Sequence, residues 1–273
     1  MTMKRSYLFV PGNRPERFAK AVGSGAGAVV LDLEDAVALE DKQTARMTVC
    51  GWLSGRQPHE QGAWVRVNSV DTEFFEDDVR ALAGVKPLGI MLPKAESQAA
   101  IQKVISLLSP LQLPIIPIIE SGLGLWSALE IARAPQVERL AFGSVDFQCD
   151  TGILAEGEAL LFARSTLVIT SSIARIAAPI DGVTVQIGDA VQLQSDVARA
   201  RGLGFGAKLC IHPNQIAAVE SGFRPGDDEV RWAQAVIAAA AQANGQAVRL
   251  DGKLIDLPVV ERARRLLQAV VPE

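Results

Sequence analysis

The chain of 273 residues has few cysteines, no long apolar run and no cluster of basic residues. Its three cysteines, Cys50, Cys149 and Cys210, lie far apart and form no C-x-x-C pair, which favours free thiols in a reducing compartment. The N-terminal residues lead directly into a strand-like segment, without the apolar region of a signal peptide. The longest apolar runs, such as Ile115–Ile119, are too short to cross a bilayer. We therefore expect a cytoplasmic protein that does not span a membrane.

The charge balance excludes another class of partner. The chain has 27 basic and 31 acidic residues, a net charge of −4, and no long basic run. Binding to nucleic acid relies on clustered Lys and Arg side chains that neutralise phosphates, so nucleic acid is not expected as a partner. A small anionic substrate is still compatible with this charge, because a local cationic pocket can form on an acidic protein.

Several familiar site motifs are also missing. The two histidines, His59 and His212, lie in separate contexts and no H-E-x-x-H segment occurs, which disfavours a zinc site. The glycine-rich segments at 23–27 and 202–206 each follow a predicted helix and precede a predicted strand, the reverse of a dinucleotide-binding turn. No P-loop is present.

What the chain does have is a regular alternation of short apolar runs with longer helical segments, and 49% apolar residues to build a core. This alternation is typical of βα units and a parallel sheet. The predicted strands are Ser6–Pro11, Ala28–Asp35, Trp64–Asn68, Gly89–Lys94, Pro114–Glu120, Arg139–Asp146, Ile180–Gln186 and Ala207–His212. Helices are predicted between them at 40–53, 72–83, 96–108, 156–177 and 189–201. Eight strands are the number that a closed (β/α)₈ TIM barrel requires, and we assign the barrel to residues 1–222.

The pattern changes after the eighth predicted strand. An Ala-rich helix is predicted over Asp227–Ala243, and Gln246–Ile255 contains an Asp-Gly pair between short apolar stretches, which indicates a hairpin. Leu257–Val271 is predicted to be a terminal helix. Residues 223–273 would thus form a helix–hairpin–helix extension, and segments beyond a barrel often serve as lids or subunit contacts.

Acidic residues end several of the predicted strands. The second run ends in the D-L-E-D segment 32–35, the fifth in Glu120 and the sixth in Asp146. Catalytic groups of a barrel sit at the carboxyl ends of its strands, where clustered carboxylates would repel one another without a cation. Two carboxylates with substrate oxygens and waters are the usual ligands of Mg²⁺. Glu120 and Asp146, on neighbouring strands, are therefore the predicted Mg²⁺ ligands.

Arg66 is the predicted cation of the same site. In the third strand, Trp64, Arg66 and Asn68 share one face, and Val65 and Val67 share the other. If the Arg66 face points into the barrel, the guanidinium needs an anion, and it can bind a carboxylate or an oxyanion through two hydrogen bonds.

Each of these residues also has a purely structural interpretation. Strand-end carboxylates often cap helices or pair with basic neighbours, and Arg66 could neutralise Glu34. Lys94 is interpreted as a solvated strand-end residue, His212 as a packed loop residue and Asn13 as a helix N-cap. The joint placement of one arginine and several carboxylates at strand ends favours a functional site.

Short segments spread over almost the whole chain resemble the citrate lyase β-subunit-like family. This family lies within the HpcH/HpaI aldolase superfamily and includes malyl-CoA and citramalyl-CoA lyases. The matching segments are RSYLFVPGN at 5–13, LDLEDAV at 31–37, VRVN at 65–68, MLPK at 91–94, IES at 119–121, FG at 142–143 with the Asp at 146, KLCIHP at 208–213 and DGKLID at 251–256. The order of the set, more than any one segment, makes the resemblance specific.

The resemblance implies a (β/α)₈ barrel with a C-terminal extension and a set of site residues. The family's two Mg²⁺ ligands correspond to Glu120 and Asp146, and the arginine that contacts the substrate corresponds to Arg66. The acidic residues of the LDLED segment, Glu34 and Asp35, are expected to support the site.

Further implications concern the substrate carrier and the assembly. The family's C-terminal Asp, which in related lyases reaches the active site of a neighbouring subunit, corresponds to Asp256. This implies a homotrimer or hexamer. Coenzyme A lies near the first strand and helix in relatives, which suggests Phe9, Lys20 and Arg17 as contacts.

Two positions depart from the family pattern. Many members read E-T-A-R-G after the fifth strand, whereas this chain has Leu123 in place of the arginine. Many read G-A-E-D after the sixth strand, whereas this chain has Val145 in place of the glutamate. The metal ligands are retained, but the substrate is not defined by the family pattern alone.

The function implied by the resemblance is Mg²⁺-dependent cleavage of a 3-hydroxyacyl thioester, of the citramalyl-CoA, malyl-CoA or citryl-thioester type, to an acetyl thioester and a keto acid. The thiol carrier is coenzyme A or an acyl-carrier protein. Three alternatives stay open: a metal-dependent aldolase acting on pyruvate-derived hydroxy-keto acids, a malate-synthase-like or thioesterase activity, and a non-catalytic barrel subunit.

Overall fold

A computed structural model describes residues 4–56, 62–242, 247–250 and 252–270. The chain divides into two compact units, one comprising Lys4–Glu220 and the other beginning at Ser221. Among the described residues, no helix is both long enough and apolar enough to cross a membrane.

The first unit is a closed barrel of eight parallel strands that follow one another in chain order. The strands are β1 Ser6–Pro11, β2 Ala28–Asp32, β3 Trp64–Arg66, β4 Gly89–Leu92, β5 Ile115–Ile119, β6 Ala141–Phe142, β7 Ile180–Asp181 and β8 Ala207–Cys210. β1 pairs with β2 on one side and with β8 on the other, which closes the barrel. The prediction of a (β/α)₈ barrel is confirmed.

Helices follow the strands on the outside of this barrel. They are α1 Phe18–Val22, α2 Lys42–Ser54, α3 Phe75–Ala83, α4 Gln98–Leu108, α5 Gly122–Trp126, α6 Ala128–Ala132, α7 Ser144–Thr151, α8 Leu161–Ala174, α9 Ala190–Leu203 and α10 Ile216–Gly222. Local signals define several ends: Ser97 accepts a hydrogen bond from the Ala100 N–H at the start of α4, and Gly204 ends α9 in the left-handed conformation.

The alternation of side chains along each strand determines which residues face the barrel interior. Tyr7, Val30, Trp64 and Ile118 all belong to one buried apolar cluster inside the barrel. Because side chains alternate with a period of two, the residues two positions further along face the same interior, nearer the carboxyl end. These residues are Phe9, Asp32, Arg66 and Glu120.

Every predicted strand after the first ends earlier in the structure, and the sixth and seventh differ most. The sixth strand, predicted over Arg139–Asp146, ends at Phe142 because Gly143 leaves the extended conformation, and the chain enters α7 at Ser144. Asp146 is therefore in the first turn of a helix and not at a strand end. The seventh strand, predicted to reach Gln186, ends at Asp181. The short helices α5, α6 and α7 were not predicted.

The second unit contains helices α11 Asp227–Gln242 and α12 Leu257–Gln268, with strands β9 Val248–Leu250 and β10 Lys253–Ile255 between them. The two strands pair antiparallel, with Lys253 opposite Leu250, which confirms the hairpin for the described residues. Asp251 of the predicted Asp-Gly turn lies outside the described residues. A small apolar core holds the unit together and comprises Ala233, Val236, Ile255, Val260 and Ala263.

Candidate active site

The carboxyl ends of the barrel strands enclose a small cavity of ≈ 60 Å³. It is lined by Phe9, Arg66, Ile118, Glu120, Phe142, Gly143, Ser144, Val145, Asp146, Val183 and Leu209. One guanidinium and two carboxylates thus face an otherwise largely apolar wall. Such a combination of apolar lining with a few convergent charged groups is typical of a small-molecule site.

Arg66 is fixed inside this cavity by acidic neighbours. Its Nε and Nη2 atoms donate to Asp32 Oδ1 and Oδ2 at 2.7 and 2.6 Å, and its Nη1 lies 2.9 Å from Glu34 Oε2. Its Cζ atom lies 4.7 Å from the centre of the Phe9 ring. Burial opposes the charge of Arg66, but the negative charges of Asp32 and Glu34 outweigh burial and raise its pKa. Arg66 is therefore a preorganised, permanently charged group.

The two predicted supporting acids differ in burial. The Glu34 side chain is 6% exposed, and its Oε1 lies 3.0 Å from Lys94 Nζ. Burial raises the pKa of Glu34, and the charge of Arg66 opposes this effect. The Asp35 side chain is 55% exposed and lies 3.8 Å from Arg66 Nη1. Glu34 is thus an integral part of the site, whereas Asp35 lies at its solvent edge.

Glu120 is buried immediately after β5. Its Oε1 accepts a hydrogen bond of 2.6 Å from the backbone N–H of Lys94. Burial, together with the charges of Glu34 and Asp146, raises the pKa of Glu120 to about 8. Without a cation, the ionised forms of these neighbouring carboxylates are unfavourable, which is the electrostatic condition that a bound metal relieves.

Asp146 faces the same cavity from the first turn of α7. Among the residues that the structure describes, no group of three or more His, Cys, Asp and Glu side chains could hold a metal ion. Zinc sites with three or four protein ligands do not fit this donor set. Two carboxylates do fit Mg²⁺, which usually retains several waters or substrate oxygens. The buried Ser144 hydroxyl, which has no hydrogen-bond partner within the described ranges, is a further polar atom beside the cavity.

Comparison with known proteins identifies the family. The family model of the HpcH/HpaI aldolase/citrate lyase family matches residues 5–213. The chain belongs to this family. Together with the citramalyl-CoA lyase described next, this match identifies the chain as a lyase.

Relatives of the family match over almost the whole chain. A citrate lyase subunit beta-like protein from Deinococcus radiodurans is 36% identical over 96% of each chain. The human mitochondrial citramalyl-CoA lyase is 32% identical, covering 96% of this chain and 84% of its own length. The crystal structure of CitE from Mycobacterium tuberculosis, in complex with magnesium, acetoacetate and coenzyme A, has a TM-score of 0.85 and 32% identity, covering 98% of each chain.

The remaining predicted residues of the family pattern lie away from the cavity lining or in the other unit. Arg17 and Lys20 are exposed, on the 3₁₀ turn Pro15–Arg17 and on α1, and do not line the cavity. Asp256 belongs to the second unit, where its Oδ1 accepts a hydrogen bond of 3.3 Å from the Val259 N–H and caps α12. Their functional roles stay predictions.

Three residues of the site were missed by sequence reasoning. Asp32, the bidentate partner of Arg66, could have been recognised, because it shares the inward face of β2 with Val30. Lys94, interpreted as a solvated residue, contacts both Glu34 and Glu120. Gly143 was passed over, although a Cβ atom there would lie 2.4 Å from Glu120 Oε2. The contacts of Lys94 and Gly143 depend on tertiary geometry that no sequence pattern shows.

The two positions that differ from many family members are exposed. Val145 is 48% exposed and lines the cavity beside Asp146, and Leu123 on α5 is 59% exposed. Both replace a charged residue of the family pattern with an apolar one. At Val145, the cavity lining of this chain is therefore less polar than the family pattern predicts.

Proposed function

We propose that this chain is a Mg²⁺-dependent carbon–carbon lyase that cleaves a 3-hydroxyacyl thioester of the citramalyl, malyl or citryl type. The products are an acetyl thioester and a keto acid. The observation that carries the proposal is the meeting of Arg66, Glu120 and Asp146 in one small cavity at the carboxyl end of the barrel. The similarity of this chain to a citramalyl-CoA lyase supports a thioester as the substrate.

Glu120 and Asp146 would hold the metal ion through their carboxylates. When bound, Mg²⁺ acts as a Lewis acid that stabilises negative charge on a substrate oxygen. Glu120 can bind the metal only after its carboxyl group has lost its proton, so metal binding is linked to proton release. The CitE structure from Mycobacterium tuberculosis contains magnesium, which supports the choice of metal.

Arg66 would stabilise the charge that develops as the bond breaks. The C3 hydroxyl loses a proton and becomes the ketone of the keto acid, the C2–C3 bond breaks, and its electron pair passes to the thioester fragment. The acetyl carbon then gains a proton, which balances the proton lost by the hydroxyl. A preorganised cation in a water-poor cavity favours such charge separation. Asp256 is the proposed general acid/base at the acetyl carbon.

The thiol carrier is proposed to be coenzyme A, with an acyl-carrier protein as the other possibility. Phe9, Lys20 and Arg17 are the proposed contacts. Phe9 already lines the cavity, and the exposed cations Arg17 and Lys20 are available to phosphate groups near the first strand. The coenzyme A in the CitE structure supports this carrier.

A panel of thioesters tests the proposal. Citramalyl-, malyl- and citryl-CoA are incubated with the protein with and without Mg²⁺, and the release of acetyl-CoA is followed. We expect Mg²⁺-dependent acetyl-CoA release from at least one substrate, and its loss in Glu120→Gln. Release of free coenzyme A would indicate thioesterase or malate-synthase-like chemistry, and cleavage of free hydroxy-keto acids alone would indicate an aldolase. No Mg²⁺ binding and no turnover would indicate a non-catalytic subunit.

A further inference from the structure

Lys94 adopts a backbone conformation that is unusual for a lysine. It lies two residues beyond β4, next to Pro93, with a φ angle of 48°. A side chain at this angle crowds the neighbouring backbone, so the conformation persists only where other contacts stabilise it. Non-glycine residues held in this way are frequent at functional sites.

The contacts of Lys94 join two acidic residues from different parts of the barrel. Its backbone N–H donates to Glu120 Oε1 at 2.6 Å, and its ammonium lies 3.0 Å from Glu34 Oε1. Both glutamates are buried. The backbone N–H of Lys94 thus contacts Glu120, while its side chain extends to Glu34.

We propose that Lys94 is a positioning residue for the metal site: its ammonium, anchored on Glu34, stabilises the backbone turn that presents its N–H to Glu120. The inference rests on the proposed function, in which Glu120 holds the metal. When one carboxylate oxygen accepts a hydrogen bond from a fixed backbone N–H, the orientation of the whole carboxylate is fixed, including the oxygen that would bind the metal. Partners that orient metal ligands usually matter almost as much as the ligands themselves.

A comparison within the same chain separates this role from that of a surface ion pair. Lys103 Nζ lies 3.3 Å from Glu76 Oε1, and the Lys103 side chain is 45% exposed, against 47% for Lys94. The partners differ: the Glu76 side chain is 43% exposed, whereas that of Glu34 is 6% exposed and also contacts Arg66. Exposed pairs such as Lys103–Glu76 contribute little. Lys103 is therefore a matched control for Lys94.

The test measures Mg²⁺ affinity by titration calorimetry on the metal-stripped full-length protein. The variants are Lys94→Met, Lys94→Gln, Lys94→Arg and the control Lys103→Met. We expect Lys94→Met and Lys94→Gln to weaken Mg²⁺ binding by about 10- to 100-fold, Lys94→Arg to restore most of the affinity, and Lys103→Met to leave it unchanged. Glutamine keeps a polar side-chain end without the charge, so Lys94→Gln decides the question if Lys94→Met does not fold.

The outcomes distinguish this inference from the proposed function. Mg²⁺ affinity of Lys94→Met and Lys94→Gln within twofold of Lys103→Met would overturn the positioning role. Wild-type protein that binds Mg²⁺ but cleaves no thioester would overturn the proposed substrate, while the affinity comparison would still decide the role of Lys94. Wild-type protein that binds no Mg²⁺ would overturn both.

Discussion

At the scale of single residues, the cavity and its immediate surroundings have an excess of negative charge. Asp32, Glu34, Asp35, Glu120 and Asp146 are acidic, and Arg66 and Lys94 are cations that lie among them. Five acids against these two cations leave an excess of three negative charges, most of which one divalent cation would balance. The raised pKa of Glu120, to about 8, shows how the protein accommodates this excess without a cation, by favouring the protonated carboxyl.

This raised pKa predicts a pH-dependent stability of the metal-free protein. The folded-state pKa of Glu120, about 8, lies above the unfolded value of about 4.3. Protonation of Glu120 therefore favours the folded state, and this contribution is lost as the pH rises through 8. We expect the free energy of unfolding of metal-free protein to fall between about pH 5 and 9, and Mg²⁺ to remove the decrease. Urea denaturation at a series of pH values, with and without Mg²⁺, measures this free energy.

The control for this prediction is Glu120→Gln, in which the neutral amide should flatten the pH dependence in metal-free protein. A wild-type stability that is constant or rises over the same pH range would contradict the assignment of a protonated Glu120.

Arg66 is predicted to be essential for stability as well as for turnover. Its removal leaves the buried Asp32 and Glu34 carboxylates without their main partner. Breaking a buried ion pair on one side typically costs about 3–5 kcal/mol. We expect Arg66→Met to lose that amount of unfolding free energy, and Asp32→Asn added to it to recover part of the loss. Chemical denaturation of the single and the double variant measures the loss and the recovery. An unfolding free energy of Arg66→Met within about 1 kcal/mol of the wild-type value would be incompatible with the buried ion cluster.

At the scale of elements, the sequence predicted strands and long helices well and the junctions near the site poorly. The sequence identified β1 to β5 and β8 because a short apolar run with flanking turn residues is a local signal. The sixth run misled because no charged residue occurs between Phe142 and Asp146, although the strand ends at Phe142 and a helix begins at Ser144. A short apolar run has the same appearance in a buried strand and in a buried helical turn. Asp146 was thus recognised as a site residue but assigned to the wrong element.

The junction between β6 and α7 gives a prediction of its own. Gly143 lies so close to Glu120 that an added Cβ atom would be 2.4 Å from Glu120 Oε2 and 2.5 Å from Glu120 Cβ. Gly143→Ala must displace Glu120, so we expect Mg²⁺ affinity to fall by about tenfold or more and stability to fall by about 1–3 kcal/mol. Calorimetry and denaturation measure the two effects.

The matched control is Gly51→Ala in α2, where an added Cβ atom would meet nothing within 4 Å. Helix propensity predicts a gain of up to about 1 kcal/mol there, with unchanged Mg²⁺ affinity. If Gly143→Ala behaved like Gly51→Ala, the close approach of Gly143 to Glu120 would not matter for the site.

At the scale of the whole molecule, the barrel was predictable because eight βα repeats fix the architecture, and the architecture places all strand ends on one side. Arg66 and Glu120 could therefore be brought together from the strand pattern, whereas Phe9 was suggested by the family resemblance. The extension beginning at Ser221 was predictable as a helix–hairpin–helix segment, whereas its proposed role at the active site involves other copies of the chain. Asp256 is the residue of the extension for which this role is proposed.

Mixed assemblies test whether Asp256 acts between subunits of the predicted homotrimer or hexamer. Glu120→Gln and Asp256→Asn proteins are each expected to lose about 10²–10³-fold in turnover. If Asp256 serves the neighbouring site, a random mixture should regain about a quarter of wild-type turnover, the fraction of sites that combine intact residues from two copies. Turnover that stays at the level of the single variants after subunit exchange would show that Asp256 does not act across subunits.

The account depends most directly on one divalent cation shared by Glu120 and Asp146. Crystals of the protein soaked in Mn²⁺, measured at the manganese absorption edge, locate that cation. We predict one anomalous peak in the barrel cavity, about 2.1 Å from one carboxylate oxygen of each residue, and its loss in Glu120→Gln. An empty cavity under saturating Mn²⁺, or a peak that touches neither carboxylate, would contradict the proposed lyase site.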